Sequence, residues 1–384
     1  MSREHAQKVV FVCPNLQAGG AERQWAILAP GLSERGFDVS VITLDGRGFY
    51  FEELRARGVP TECARLRHRT DAIGLARAVR LGGSRSSAVL TRGTSAHLVG
   101  HLLARRQRAA HVVTEHLGPD PLGMRRLRRH QQLLLRPVRP RVTAVVGVAQ
   151  SQKEHLVHDG YRPDAIRVIA SGVANDPPVR DRETLRAELG IPPEAFLAVL
   201  VTALRPEKRA SVFVEQVTAA HATEPSIRGL VVGDGPDRTL VARGVERSGG
   251  VVGMLGFRAD AVDLMHAADA VCLTSAVEAL PMSVLEAMSV ARPVVVTRVG
   301  DLREVVADGE TGFLISPDHA SELAAALVGL ARDTPRSEEM GRAGRRRQQR
   351  LFSVEAMTRG YAELLADLER DGRDRRHERD PARQ

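Results

Sequence analysis

Short runs of consecutive apolar residues alternate along this chain with longer stretches of helical spacing, and the rhythm occurs twice. Lys8–Cys13, KVVFVC, has no polar residue after its first, the pattern of a strand covered on both faces. Gly19-Gly20 follows, then a helical stretch from Ala21 to about Arg35. Further strands are predicted at 37–44, 87–90, 111–114, 142–148 and 166–169. A segment at 171–184 with Gly172, Asn175, Pro177 and Pro178 reads as a linker. The alternation then resumes, with strands at 196–202, 227–232, 251–255, 270–273, 293–297 and 312–315 and helices between them. Strands separated by helices imply right-handed crossovers and mostly parallel sheets. The pattern therefore predicts an α/β chain of two doubly wound, Rossmann-like domains. Such sheets bind ligands beyond the carboxyl ends of their strands, so two facing units define one interdomain cleft.

Composition agrees with two folded domains: 384 residues are 43% hydrophobic, and no apolar run approaches the ~20 residues of a membrane span. Cys13, Cys63 and Cys272 are far apart and lack paired or metal-ligand spacing. The first residues lead directly into the first strand without a signal-peptide pattern, and a reduced, cytoplasmic protein is expected. The net charge of +8 is uneven: residues 1–180 carry +13 and residues 181–384 carry −5. Lysine occurs only at Lys8, Lys153 and Lys208; the other cations are arginines. The most basic stretch, 124–141, places Arg125, Arg126, Arg128 and Arg129 beside Leu127, Leu134 and Leu135. It reads either as an interfacial helix making a peripheral contact with an anionic membrane or as a solvated, arginine-rich helix. With 3% aromatic residues and no stacking platform, nucleic acid is not an expected partner.

The densest candidate chemistry is TSAVEALPMSVLEAM at 274–288. A strand ends at Leu273, a loop holds Glu278 and Pro281, and a helix begins near Met282 or Ser283. A strand–loop–helix offers unpaired backbone N–H groups and a favourable dipole to a phosphate. Carboxylates there suit the hydroxyls of a sugar or ribose. Ser283-Val-Leu-Glu286 also fits a capping box, which leaves two readings for Glu286. His97 and His101 stand four apart on a predicted helix without a third ligand or a nearby acidic partner, and no metal site is expected.

The stretch resembles the Glu-x7-Glu motif of retaining GT-B glycosyltransferases, the large nucleotide-sugar-dependent group described as family 4-like or group 1. Other motifs follow in the family's order: Gly19-Gly20-Ala-Glu-Arg23, Thr114-Glu-His116, Arg205-Pro-Glu-Lys208, Gly233-Asp-Gly-Pro236, Leu255-Gly256, Val299-Gly300 and Asp308-Gly-Glu-Thr-Gly312. They span most of residues 8–370. The resemblance implies a GT-B fold and transfer of a sugar from a nucleotide-diphosphate-sugar donor to a glycan, lipid-linked or small-molecule acceptor. It implies a donor-binding domain at 181–352 and an acceptor-side domain at 1–180. A helix at 353–370 would cross back to the first domain, and the tail at 371–384 would be disordered.

Carried over by position, Gly19 and Gly20 would approach the donor, and Lys208, with Arg205, would neutralise the diphosphate. Glu278 would serve the transferred sugar and Glu286 the ribose. Ala279, Leu280, Pro281, Met282 and Ser283 would line the donor site, with Val252 and Gly253 near the base. His116 would face the donor sugar or the acceptor as a group whose pKa suits neutral pH. His116, Glu278 and Lys208 are thus the expected catalytic residues, with no metal and no cofactor. The sequence departs from the family at Ala203, where an arginine is usual, and at Ala279, Asp301 and Ser171. Ala203 keeps a non-catalytic GT-B partner subunit open as an alternative, beside a nucleotide-sugar epimerase on the same fold. Base, sugar, acceptor, linkage and oligomeric state are not readable.

Overall fold

The computed structural model describes residues 6–17, 19–68, 71–83, 85–116, 133–175 and 177–379, without the side chains of 373–379. The basic stretch's Arg125, Arg126, Leu127, Arg128 and Arg129 lie outside the described residues. The chain forms two compact units, residues 1–172 with 354–384 and residues 173–353.

The first unit is built on a parallel seven-stranded sheet in the order β3-β2-β1-β4-β5-β6-β7. Its strands are β1 (Lys8–Cys13), β2 (Asp38–Thr43), β3 (Thr61–Cys63), β4 (Ala88–Thr91), β5 (Ala110–Glu115), β6 (Ala144–Gly147) and β7 (Ile166–Val168). The edge strand β3 is absent from the sequence reading, because three residues carry no period. The continuous apolar run of β1 serves two faces. Val9, Phe11 and Cys13 pack with Trp25, Leu28 and Leu32, while Val10 and Val12 pack with Val99 and Leu103. Phe11 meets Trp25 edge-on, with ring centroids 4.7 Å apart.

The last helix, Val354–Arg379, packs on the helix Gly20–Glu34. Met357, Tyr361, Leu364 and Leu365 join the first unit's core, each buried side chain contributing roughly 1.5–3 kcal/mol. Arg35 Nε donates to Thr358 Oγ1 at 3.0 Å, and a side chain at Gly31 would collide with Thr358. Helix continues through residues 371–379, where the sequence suggests disorder. The sequence there has no apolar period, but the helix is already begun, and the turn before it carries the pair Asp367–Arg370.

The second unit carries a parallel six-stranded sheet, β10-β9-β8-β11-β12-β13. These are β8 (Phe196–Val201), β9 (Ile227–Val232), β10 (Val252–Gly256), β11 (Ala270–Leu273), β12 (Val294–Thr297) and β13 (Gly312–Ile315). The unit starts at Val173, eight residues before the expected boundary. Two of its first residues are fastened to it: Val173 N donates to Phe352 O at 2.9 Å, and Val179 N to Asp263 Oδ1 at 2.9 Å. The proline-rich composition at 171–184 thus marks an anchored strap, not a free linker. In both sheets the order reverses between neighbouring strands, at β1/β4 and β8/β11, where α/β sheets open a crevice for ligands.

Candidate active site

In the second unit, two loops at the switch point are stitched together. The loop after β8 turns through a short 3₁₀ segment, Pro206–Lys208, and Arg209 takes a left-handed conformation at φ 51°. The loop after β11 reaches it three ways: Thr274 Oγ1 donates to Lys208 O at 3.1 Å and to Arg209 O at 3.0 Å, and Ala276 N donates to Glu207 O at 2.8 Å. This backbone frame brings Lys208 Nζ onto Glu278 Oε1 as a close ion pair. Ser275 Oγ donates to the same carboxylate oxygen at 2.6 Å. Glu278 is 9% exposed and Ser275 fully buried.

Behind Glu278 lies the loop after β12. Gly300 has φ +54°, and a Cβ there would fall 2.0 Å from the Glu278 carbonyl oxygen. Glycine is required by both conformation and space. Gly233 answers the same need in the loop after β9, where a Cβ would stand 1.8 Å from Thr202 O. The Gly233 and Val299-Gly300 motifs therefore act by letting neighbouring loops close on Lys208 and Glu278.

The helix Met282–Ser289 starts with Pro281 as its cap and has no side-chain cap hydrogen bond. Ser283 is its second residue, so the capping-box reading of Ser283 and Glu286 does not hold. Glu286 lies buried inside this helix, and Ser289 Oγ donates to its carbonyl. Ala279 and Pro281 are buried, and Leu280, Met282 and Ser283 half-buried.

Arg205 and Ala203 are exposed, and Arg205 forms no ion pair among the described residues. Val252 and Gly253 do not join the cluster. They begin β10 at the amino end of the sheet, the Val252 side chain packs in the core, and its amide is held by Ser248 Oγ at 3.1 Å. They stand at the end of the strand opposite the one where such a sheet opens a ligand crevice.

In the first unit, Gly19 caps the helix Gly20–Glu34, and a side chain there would collide with the Glu22 carboxylate. Arg92, just beyond β4, places Nη1 2.9 Å from Glu22 Oε1 and donates through Nη2 to Asn15 O at 3.1 Å. Its guanidinium also lies over the Trp25 ring, 5.7 Å from the centroid. His116 follows β5, and its Nε2 is buried without a partner among the described residues. Burial, with the charge of Arg92, pushes its pKa down to about 3. Near pH 7 that makes His116 a neutral imidazole, not the near-neutral titrating group its residue type suggests.

The His97–His101 pair has the acidic neighbour that spacing did not reveal. His97 Nε2 lies 3.4 Å from Glu115 Oε1, Tyr161 donates to the same oxygen at 3.1 Å, and Thr91 Oγ1 links His97 to His111. Burial pushes the Glu115 carboxyl up, but hydrogen bonding from His97 and Tyr161 and the Arg139 charge hold it below the usual range. This is a buried hydrogen-bond chain; among the described residues no three His, Cys, Asp or Glu gather as a metal site. No helix among them is long and apolar enough to cross a membrane.

Known proteins carry the same pattern. Residues 181–347 match the family described as Glycosyl transferases group 1, and residues 18–176 match Glycosyltransferase Family 4. The alpha-maltose-1-phosphate synthase of Mycobacterium tuberculosis is 30% identical over 290 residues, 67% of this chain and 72% of that one. The chain belongs to the group 1, family 4-like glycosyltransferases. Within them, the D-inositol 3-phosphate glycosyltransferase of Corynebacterium aurimucosum is 34% identical over 216 residues, 52% of this chain and 51% of its own. The chain thus spans about half the length of this and similar curated relatives. The group 1 fold is GT-B: HepE of Anabaena, solved with UDP-glucose, aligns at TM-score 0.82 and 23% identity, covering 94% of this chain and 99% of that one. Sucrose-phosphate synthase from Thermosynechococcus elongatus aligns at TM-score 0.74 and 20% identity, covering 94% and 99%.

Two further residues at strand carboxyl ends, one in each unit, lie outside the motifs. In the second unit the signal for Ser275 is a hydroxyl between the end of β11 and Glu278. In the first unit the signal for Arg92 is a charged residue followed by glycine, at φ 86°, where β4 ends at the switch point.

Proposed function

We propose that this chain is a nucleotide-sugar-dependent glycosyltransferase that transfers its sugar with retention. The observation that carries the reading is the meeting of Lys208 and Glu278 at the carboxyl ends of β8 and β11, in front of a helix whose start has no side-chain cap hydrogen bond. Lys208 supplies positive charge for a diphosphate that gains negative charge as it leaves. The first N–H groups of the helix Met282–Ser289 suit the same group. Glu278 accepts hydrogen bonds from sugar hydroxyls and favours positive charge developing at the anomeric carbon, and Glu286 serves the ribose. His116, being neutral, acts as a hydrogen-bond donor or acceptor toward a sugar oxygen. The first unit takes the acceptor, a glycan, lipid-linked or small molecule; Gly19 and Gly20, lacking side chains, leave room for the donor. A cytoplasmic setting, with peripheral membrane contact through Arg125, Arg126, Arg128 and Arg129, is part of the same reading.

HepE was solved with UDP and with UDP-glucose, which makes the uridine series the first to try. In a thermal-shift panel of UDP, GDP, ADP and dTDP with their common sugar conjugates, one series should raise the midpoint by several degrees at a hundred times its Kd. Lys208→Ala should abolish that shift. Incubation with the selected donor and acceptor should yield a product of unchanged anomeric configuration by NMR, and inversion would overturn the retaining assignment. A second reading, a non-catalytic partner subunit, draws on exposed Ala203, which leaves the phosphate side one cation short. It expects no shift with any nucleotide and no effect of Glu278→Ala.

A further inference from the structure

We propose that Ser275 is a positioning residue for Glu278, fixing one oxygen of its carboxylate so that the other is presented to the donor sugar. The inference rests on the donor-site reading above. The two oxygens of Glu278 are unequally engaged. Oε1 takes both the Lys208 ammonium and the Ser275 hydroxyl, the latter at 2.6 Å, whereas among the described residues Oε2 accepts no hydrogen bond. An O–H donor to a carboxylate at this distance is charge-assisted and about twice as strong as a neutral pair.

The hydroxyl is held rigidly. Ser275 is 0% exposed, so it cannot itself touch a ligand, and its carbonyl accepts from Thr297 Oγ1 at 2.6 Å. The next amide, Ala276 N, is tied to Glu207 O in the loop that carries Lys208. Ser275 is thus fixed from β12 on one side and from the Lys208 loop on the other.

The two donors to Oε1 differ in permanence. Lys208 is a flexible chain with three donors, and an incoming diphosphate competes for them. As Lys208 turns toward the phosphates, the bond from Ser275 is the one that remains to hold the carboxylate. Without it, Glu278 would be free to rotate or to follow Lys208, and Oε2 would lose its aim. The loss should fall on sugar recognition and transfer, not on nucleotide binding.

The test uses the full chain and three substitutions that separate hydroxyl from volume: Ser275→Ala, Ser275→Cys, which fills the space with a weak donor, and Ser275→Thr, which retains the hydroxyl. Kd for UDP and UDP-glucose, with GDP and GDP-mannose in parallel, is measured by calorimetry, and kcat and KM are measured on the donor that binds. Expected for alanine and cysteine are an unchanged nucleoside diphosphate Kd and a kcat/KM reduced about 10- to 100-fold, the scale of one hydrogen bond to a charged group. Threonine should recover most of the loss. Unchanged kcat/KM in Ser275→Cys, or equal weakening of nucleoside diphosphate and nucleotide sugar, would overturn the inference while leaving the donor site intact. A wild-type chain that binds no member of the UDP, GDP, ADP or dTDP series would overturn the donor reading, and the inference with it.

Discussion

Arg92 reaches from the end of β4 to Glu22 in the first helix, Nη1 to Oε1 at 2.9 Å, and so ties the two sides of the first unit's switch point. The pair is largely buried, with 13% of the arginine and 20% of the glutamate side chain exposed. Breaking a fully buried pair costs about 3–5 kcal/mol; with this remaining solvent access about 2 kcal/mol is expected for Arg92→Ala. Removing the guanidinium also removes one of the causes that depress His116. In the wild type the His116 ring should show no titration by NMR between pH 5 and 8. In Arg92→Ala its pKa should rise, while burial keeps it below the usual value. A wild-type His116 titrating near pH 6.5 would contradict the neutral-imidazole assignment.

His111 predicts an acid weakness of the first unit. It is buried beneath the sheet's helices, its Nε2 lies 3.0 Å from Thr91 Oγ1, and burial pushes its pKa down to about 3. The folded state therefore holds the neutral ring, whereas the unfolded chain takes up a proton near pH 6.5. Stability from this group is full above pH 6.5 and is lost as pH falls from 6.5 toward 3. Thermal midpoints should decline over that window, and His111→Gln should flatten the decline although it lowers the midpoint at pH 7. Equal slopes in the two proteins would remove His111 from the account.

Ala203→Arg restores a cation where the related family usually has one. Ala203 is exposed at the turn before Lys208, so the longer side chain displaces no core residue. Binding of the selected nucleoside diphosphate should tighten about 5- to 10-fold, on the scale of one added charge-assisted contact, with little change in thermal midpoint without ligand. Calorimetry at two salt concentrations would check the electrostatic origin, since the gain should shrink at high salt. No gain at either concentration would mean that Ala203 does not face the phosphates.

Gly300→Ala should be severe for a residue with no side chain of its own in the site. Left-handed φ and the 2.0 Å approach to the Glu278 carbonyl together exclude a Cβ, and more than about 1 kcal/mol of stability should be lost. The displaced backbone carries Glu278 with it, so kcat/KM should fall at least about tenfold, the same scale as loss of a hydrogen bond to a charged group. Wild-type melting and activity in this variant would show that the loop after β12 has room to spare.

The two doubly wound units and the ordered motifs at their strand ends are legible in the sequence. Both are local signals: apolar runs such as 8–13 need covering on two faces, and glycine or charged residues at a strand's carboxyl end occupy the only part of such a sheet open to a ligand. Tertiary structure decided how those residues act. Lys208 and Glu278 stand 70 positions apart, as do Arg92 and Glu22, and both pairs meet only because neighbouring strands at a switch point bring their loops together. The start of a helix at Met282 gave Glu286 an interior place instead of a capping role. Val252 fell at the end of its strand opposite the ligand crevice, and His116 lost its expected titration because desolvation is a property of surroundings, not of residue type.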